Sequence, residues 1–190
     1  GGYNAMLEEQ KMEQGEAVIT TVLFDDKYEL LHDRINIRGV EPITEKDYFV
    51  RGSTALLDAV GKTINKIGRV QKHTSDSERA ERVMFVITTD GMENASRKFT
   101  PEKIREMITH QKVKYGWEFI FLGANIDSAE TAESFGIGRD MAADYNADSE
   151  GTRLNYEVIS QTVSDIRARR SISKEWKERI DEDREKRRER

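Results

Sequence analysis

The apolar positions of the chain change period several times, and each change marks an element. Tyr3, Met6, Leu7 and Gln10 recur at helical spacing and predict an amphipathic helix over Gly2–Glu13, closed by Gly15. Glu16–Phe24 then reads as a strand, apolar on both sides through Val18, Ile19, Val22, Leu23 and Phe24. Asp25-Asp26-Lys27 makes a tight turn, and Tyr28–Ile37 returns as a more polar strand whose Asp33 and Arg34, with Arg38 beyond, suit an exposed sheet edge. Gly39 and Pro42 mark a connecting loop. A second helix follows Gly52-Ser53-Thr54, with Leu57, Val60, Ile64 and Ile67 as its buried stripe, and Arg69–Arg82 reads as a charged surface connection.

Val83–Ile87 is apolar throughout and rich in β-branched residues, the mark of a strand buried on both faces inside a parallel sheet. It ends at Thr88-Thr89-Asp90-Gly91. Thr100-Pro101-Glu102 is a helix start, with Ile104, Met107 and Ile108 on its core face. Trp117–Gly123 is a further buried strand that leaves through Ala124-Asn125-Ile126-Asp127 into a short helix. Met141–Tyr145 makes a last short strand, and Leu154, Val158, Ile159, Val163 and Ile166 define a closing helix. Strands alternating with helices predict an α/β fold: a three-layer α/β/α sandwich on a mostly parallel, Rossmann-like sheet with an antiparallel edge hairpin.

Composition narrows the class. A chain of 190 residues holds one domain with a sizeable core. It carries 35% charged residues, and no apolar run approaches the roughly 18 residues of a membrane span. The absence of cysteine rules out disulfides and thiolate metal sites, and gives no support for secretion. His32, His73 and His110 are too scattered to suggest zinc, and a net charge of −5 argues against a nucleic-acid binder. Beyond Ser173 every residue except Trp176 and Ile180 is charged, so 171–190 reads as a charged helical or disordered tail on a domain of residues 1–170.

Chemistry concentrates at one rim. Ligands of open α/β sheets bind beyond the carboxyl ends of the strands, where Asp90 would stand. Its alternative role is to cap the Asp-Gly turn. The Gly52-Ser53-Thr54 loop feeds a helix N-terminus at the same rim. A hydroxyl plus a carboxylate, all oxygen, suits a hard cation such as Mg2+. The competing role for Ser53 and Thr54 is ordinary helix capping.

Gly-Ser-Thr-Ala-Leu-Leu-Asp-Ala (52–59), followed by a hydrophobic strand and Thr-Asp-Gly (89–91), resembles the von Willebrand factor type A domain. The likeness covers most of residues 1–145 and is closest to bacterial, cytoplasmic-type members. It implies a metal ion-dependent adhesion site, with Thr54 as the second-loop threonine and Asp90 as the third-loop aspartate. In the family the cation (Mg2+, or Mn2+ or Ca2+) keeps an open position that an acidic group on a partner protein completes. Ser53 and Asp58 would support the loop, and Asn125 and Asp127 would line the rim. The family's first-loop motif, Asp-x-Ser-x-Ser, is absent, because the first helix is already under way at Gly1-Gly2-Tyr3-Asn4. The expectation is an N-terminal truncation of roughly twenty residues, comprising a central strand and its loop, and a cation site crippled by that loss.

The resulting expectation is a cytoplasmic protein–protein interaction domain, not an enzyme, that neither binds nucleic acid nor enters a membrane. One alternative is a metal-independent scaffold of the same fold. Another is a receiver-like phosphoacceptor with Mg2+ at Asp25-Asp26 and Asp90 as acceptor; the lysine such a site needs on a later strand is lacking. Phosphate-loop, nucleophile-elbow and zinc-protease motifs are also absent.

Overall fold

A computed structural model of the chain describes residues 1–44, 46–47 and 52–188. Its elements in chain order are α1 (Gly2–Met12), β1 (Val18–Phe24), β2 (Tyr28–Asn36), α2 (Leu56–His73), β3 (Met84–Thr89), α3 (Pro101–Tyr115), β4 (Glu118–Gly123), α4 (Ser128–Ser134), β5 (Ala142–Asp144), α5 (Ser149–Arg167) and α6 (Glu178–Arg188). This is the α/β alternation expected from the sequence. The local chemistry explains several boundaries. Thr100 caps α3 by accepting the Lys103 N–H at 3.2 Å, Pro101 opens the helix, and Gly116 ends it at φ 67°. Asp148 caps α5 through the Gly151 N–H at 2.7 Å. A Cβ on Gly151 would lie 2.1 Å from the Asn146 carbonyl oxygen, so the turn into α5 closes only over glycine.

Two expected boundaries move. The second helix runs on to His73 rather than yielding to a loop at Arg69. Ile67 continues its apolar stripe into the core, and Lys72 in the last turn complements the helix dipole. The C-terminal segment carries α6 and is mostly exposed, but its two apolar residues are buried against the rest of the fold. Trp176 and Ile180 are 8% and 2% exposed and join the core formed by α1, β4 and α5. The Trp176 indole N–H donates to the Asp140 carbonyl at 2.8 Å, and Lys177 Nζ donates to Ala142 O at 2.7 Å. Residues 189 and 190 of that predicted tail lie outside the described residues.

The strands form two sheets rather than one. β1 and β2 make an antiparallel hairpin turning at Asp25–Lys27, while β3, β4 and β5 lie side by side, all parallel. Two apolar layers cover the sheets, one on each face. On one face, Leu57, Val60 and Ile64 of α2 and Ile104 and Ile108 of α3 pack with Ile87, Phe119 and Phe121, and Phe24 of β1 joins the same cluster. On the other, Met6 and Leu7 of α1 and Val158 and Ile159 of α5 pack with Ile120 and Leu122, together with Ile19 of β1 and Met84 of β3. Each layer therefore touches strands of both sheets.

Polar contacts fix α1 in this arrangement. Gln10 Nε2 donates to Ser160 O and to the hydroxyls of Ser160 and Ser164 at 3.0–3.1 Å, and Arg167 donates to Gln10 O at 2.6 Å. The Tyr3 hydroxyl meets Thr21 Oγ1 at 2.5 Å, and Thr21 in turn meets His32 Nδ1 at 2.9 Å. Burial pushes the Tyr3 hydroxyl above its ordinary pKa, against the opposing pull of the Thr21 hydrogen bond. No described helix is long and apolar enough to cross a membrane.

Candidate functional site at the strand-end rim

The carboxyl ends of β1 and β3 come to one rim, where the segment before α2 joins them. The Ala55 N–H donates to Asp25 O at 2.7 Å, and Thr54 O accepts the N–H groups of Asn94 and Ala95 at 3.0 and 3.2 Å. Asn94 Oδ1 accepts the Thr54 N–H at 2.8 Å. The 52–55 and 90–96 loops are thereby stitched together through the Thr54 backbone. Thr89 shapes the turn between them, since its hydroxyl donates to Gly91 O at 2.9 Å and accepts the Gly91 N–H at 3.3 Å.

This arrangement brings Thr54 and Asp90 into adjoining turns. A Cβ at Gly91 would lie 3.4 Å from Thr54 Oγ1, so the hydroxyl faces the turn that carries Asp90. The Asp90 side chain is exposed, and among the described residues its carboxylate takes no hydrogen bond. Turn-making thus falls to Thr89 rather than to Asp90. Nor do Ser53 and Thr54 cap α2: its N-cap is Ala55, without a side-chain cap bond. Ser53 is half-buried in the same loop.

The capping of α2 comes from the other loop, through residues that sequence reasoning missed. Glu93 Oε2 accepts the Leu57 N–H at 2.9 Å and the Ser96 hydroxyl at 2.8 Å, while Oε1 accepts the Ala95 and Ser96 N–H groups at 3.0 and 2.7 Å. Ser96 Oγ also accepts the Asp58 N–H at 3.0 Å. A carboxylate here satisfies two needs at once: it closes its own turn and fills the positive end of the helix. The sequence signal was present in Glu93-x-x-Ser96. It could not be read as a cap, because the helix it caps lies some 35 residues upstream.

Asp58 supports the rim in the reciprocal direction. Its carboxylate accepts the N–H groups of Arg97, Lys98 and Phe99, each at 2.9 Å. Asp58 therefore holds the far loop, not the Thr54 loop as the sequence suggested. The Phe99 ring then lies against Gly61, where a Cβ would meet it at 2.6 Å. Partial burial raises the carboxyl's pKa, but the three backbone donors outweigh it and hold the group below its ordinary 3.8. A depressed folded-state pKa adds stability above the unfolded value, and that stability disappears as pH falls below about 4. Asp58→Asn is expected to cost about 1–2 kcal/mol at pH 7. The gap from wild type should narrow in urea titrations at successively lower pH below 4, and a gap independent of pH would refute the assignment.

Asn125 and Asp127 also stand at this rim, beyond β4, where the Ala124 N–H donates to Thr89 O at 2.9 Å. Asn125 adopts φ 60°, a conformation its short side chain tolerates. Asp127 caps α4 through the Glu130 N–H at 2.9 Å. Both side chains are exposed. Asp25 and Asp26 form the hairpin turn, with Asp25 Oδ1 accepting the Lys27 N–H at 2.6 Å.

Among the described residues there is no group of three or more His, Cys, Asp or Glu side chains placed to hold a metal ion. Thr54 and Asp90 offer one hydroxyl and one carboxylate. Two such donors fit Mg2+, which takes one or two carboxylates and otherwise keeps water, but they make a weak site. No protein-family model matches the chain, and neither a curated protein nor a solved structure does so.

Proposed function

We propose that this chain is a protein-binding domain of von Willebrand factor A type, which engages its partner at the rim formed by Thr54 and Asp90. The observation that supports this reading is the stitching of the two loops: Thr54 O to Asn94 and Ala95, and Thr54 Oγ1 facing Gly91. Thr54 and Asp90 would hold a divalent cation, which supplies a Lewis-acidic point for an acidic group of the partner. Glu93, Ser96 and Asp58 act as positioning residues that hold the two loops in register. The one hydroxyl described beside a carboxylate at this rim, Ser96 against Glu93, is engaged in holding the start of α2 through the Asp58 N–H, and the reading is one of binding.

A metal-independent scaffold is the second reading, and the lack of a three-carboxylate cluster among the described residues favours it. Melting the chain with about 10 mM Mg2+, and again with chelator, separates the two. At free cation near tenfold above Kd the first reading predicts stabilisation of about 1.4 kcal/mol, a rise in Tm of roughly 3–5 °C for a chain of this size. Asp90→Ala should abolish that rise while leaving the chelator-treated Tm unchanged. Equal melting with cation and with chelator in the wild type would leave the scaffold reading standing.

A further inference from the structure

We propose that the outer edge of β2, beside α2, is a docking groove for a short, extended, acidic segment of a partner protein, added to the hairpin as a third strand. An open cleft of about 390 Å³ lies there, lined by Tyr28 and Leu30 of β2 and by Lys62, Lys66 and Arg69 of α2. Among the described residues β2 pairs only with β1, so its other edge has no strand beside it.

The register of the hairpin shows which backbone groups face the cleft. The Asp25 N–H donates to Lys27 O at 3.1 Å, and Phe24, Leu23 and Val22 lie opposite Tyr28, Glu29 and Leu30. Opposed residues of an antiparallel ladder alternate between bonded and non-bonded pairs. The bond from 25 to 27 therefore makes 24–28 and 22–30 the non-bonded pairs and 23–29 the bonded one. The N–H and C=O groups of Tyr28 and Leu30 point away from β1, while those of Glu29 are committed to it. Farther along, the edge is blunted. The register shifts on either side of Thr21, Arg34 takes φ 51°, and Asp33 and Arg34 are charged. Residues 28–30 keep a regular register.

Charge defines the occupant. Lys62, Lys66 and Arg69 recur at i, i+4 and i+7, along one face of α2. In a chain of net charge −5 they gather three cations around one carboxylate, Asp33, which pairs with Lys66 at 2.8 Å and with Arg34 at 3.3 Å. Lys62 Nζ sits 3.9 Å from the centre of the Tyr28 ring, and the Arg69 Nε–H donates to Asn65 O at 3.4 Å. Among the described residues neither pairs with a carboxylate. Lys62 and Lys66 stand about 6 Å apart along the helix axis. Alternate side chains of a strand recur at about 6.6 Å, so a strand on this edge with Asp or Glu at every second position meets the row in step. A second copy is the wrong occupant. Antiparallel pairing of two β2 edges sets both α2 helices on one face of the joined sheet, cation row against cation row. Strand addition to an open edge is a known mode of peptide capture, in which backbone bonds give affinity and alternate side chains give specificity.

The test uses the intact chain in buffer free of divalent cations and phosphate, so that it does not depend on the cation reading of the rim. The probe is a labelled peptide of four Glu-Thr repeats, followed by anisotropy and by amide exchange read residue by residue. Expected is binding that weakens by about tenfold as NaCl rises from about 50 to about 300 mM. Exchange should slow by about tenfold or more at the N–H groups of Tyr28 and Leu30, with little change at Glu29, which already bonds β1. A peptide of the same composition with its Glu residues in one block should bind at least about tenfold more weakly. Lys62→Glu combined with Arg69→Glu, both exposed, should remove binding while leaving Tm within about 3 °C of wild type. Should that variant melt lower, Lys62→Gln alone replaces it, with an expected loss of about threefold in affinity. Absence of binding, equal binding of the block peptide, unchanged exchange at Tyr28 and Leu30, or full binding by the substituted chain would each overturn the proposal. So would capture of polyphosphate but not of the peptide, or a peptide-free dimer that protects the same two amides.

Discussion

Trp176→Ala is expected to destabilise the fold by about 3–5 kcal/mol, the usual cost of emptying a buried tryptophan site. The side chain is 8% exposed and its indole N–H reaches Asp140 O at 2.8 Å, so the change removes packing and leaves a carbonyl without its donor. For a chain of this size the loss corresponds to a fall in Tm of roughly 10 °C. Trypsin supplies a local readout, because residues 174–188 are rich in Lys and Arg. In the folded chain several of these side chains are engaged. Arg184 pairs with Asp144, and Arg187 pairs with Asp183 at 3.0 Å and with Glu150 at 3.1 Å, as well as with Asp148. All of these pairs remain at least partly open to solvent, and each contributes little. The segment is held by Trp176 and Ile180, and Trp176→Ala should release it to rapid cleavage before the rest of the chain unfolds. Cleavage no faster than in wild type, with an unchanged Tm, would show that Trp176 does not anchor it.

Glu93→Ala is expected to cost about 2–4 kcal/mol, more than a typical helix cap, because one carboxylate serves four donors in two segments. The 2.9 Å bond to Leu57 ties the 90–96 loop to the start of α2, while the bonds to Ala95 and Ser96 close the loop itself. Losing the group should free both. Urea unfolding measures the total effect, with exposed Glu41→Ala as a control expected to stay within about 0.5 kcal/mol of wild type. Amide exchange then locates it: Leu57 and Asp58 should lose protection, whereas Ile104 and Ile108 in α3 should change only as far as global stability falls. A double-mutant cycle with Asp58→Ala should show coupling of about 1 kcal/mol, since the two carboxylates hold the same loop from opposite ends. Strict additivity would mean that they act independently. If Glu93→Ala matches the Glu41 control, the clasp contributes nothing.

How far the sequence reached can be judged element by element. The α/β alternation, the hairpin at Asp25–Lys27, the Thr100-Pro101 start of α3 and the burial of β4 were all legible. Each rests on hydrophobic period or on turn chemistry within a few residues. Asp58 was legible as a supporting residue, but not which loop it supports, because its three donors lie about forty residues downstream. The tail was misjudged for a related reason. Two apolar residues among charges carry too weak a pattern to show burial, and only the surface formed by β5 and α5 gives them somewhere to go.

The sequence by itself thus determined the order of strands and helices, the inward stripes of α1, α2, α3 and α5, and the placing of Thr54 and Asp90 in loops at one rim. But it read β3 as buried on both faces, whereas Val86 is 37% exposed at the edge of its sheet. Local sterics and the burial of apolar surface act over one or two turns of chain, and a single sequence records them directly. The tertiary structure alone decided the rest. It divided the strands into two sheets with an open edge on each and gave the α2 cap to Glu93. It also turned a charged tail into a packed segment around Trp176. Each of these depends on which distant groups meet in space, and hydrogen-bond and packing partners separated by tens of residues leave no periodic trace in the chain.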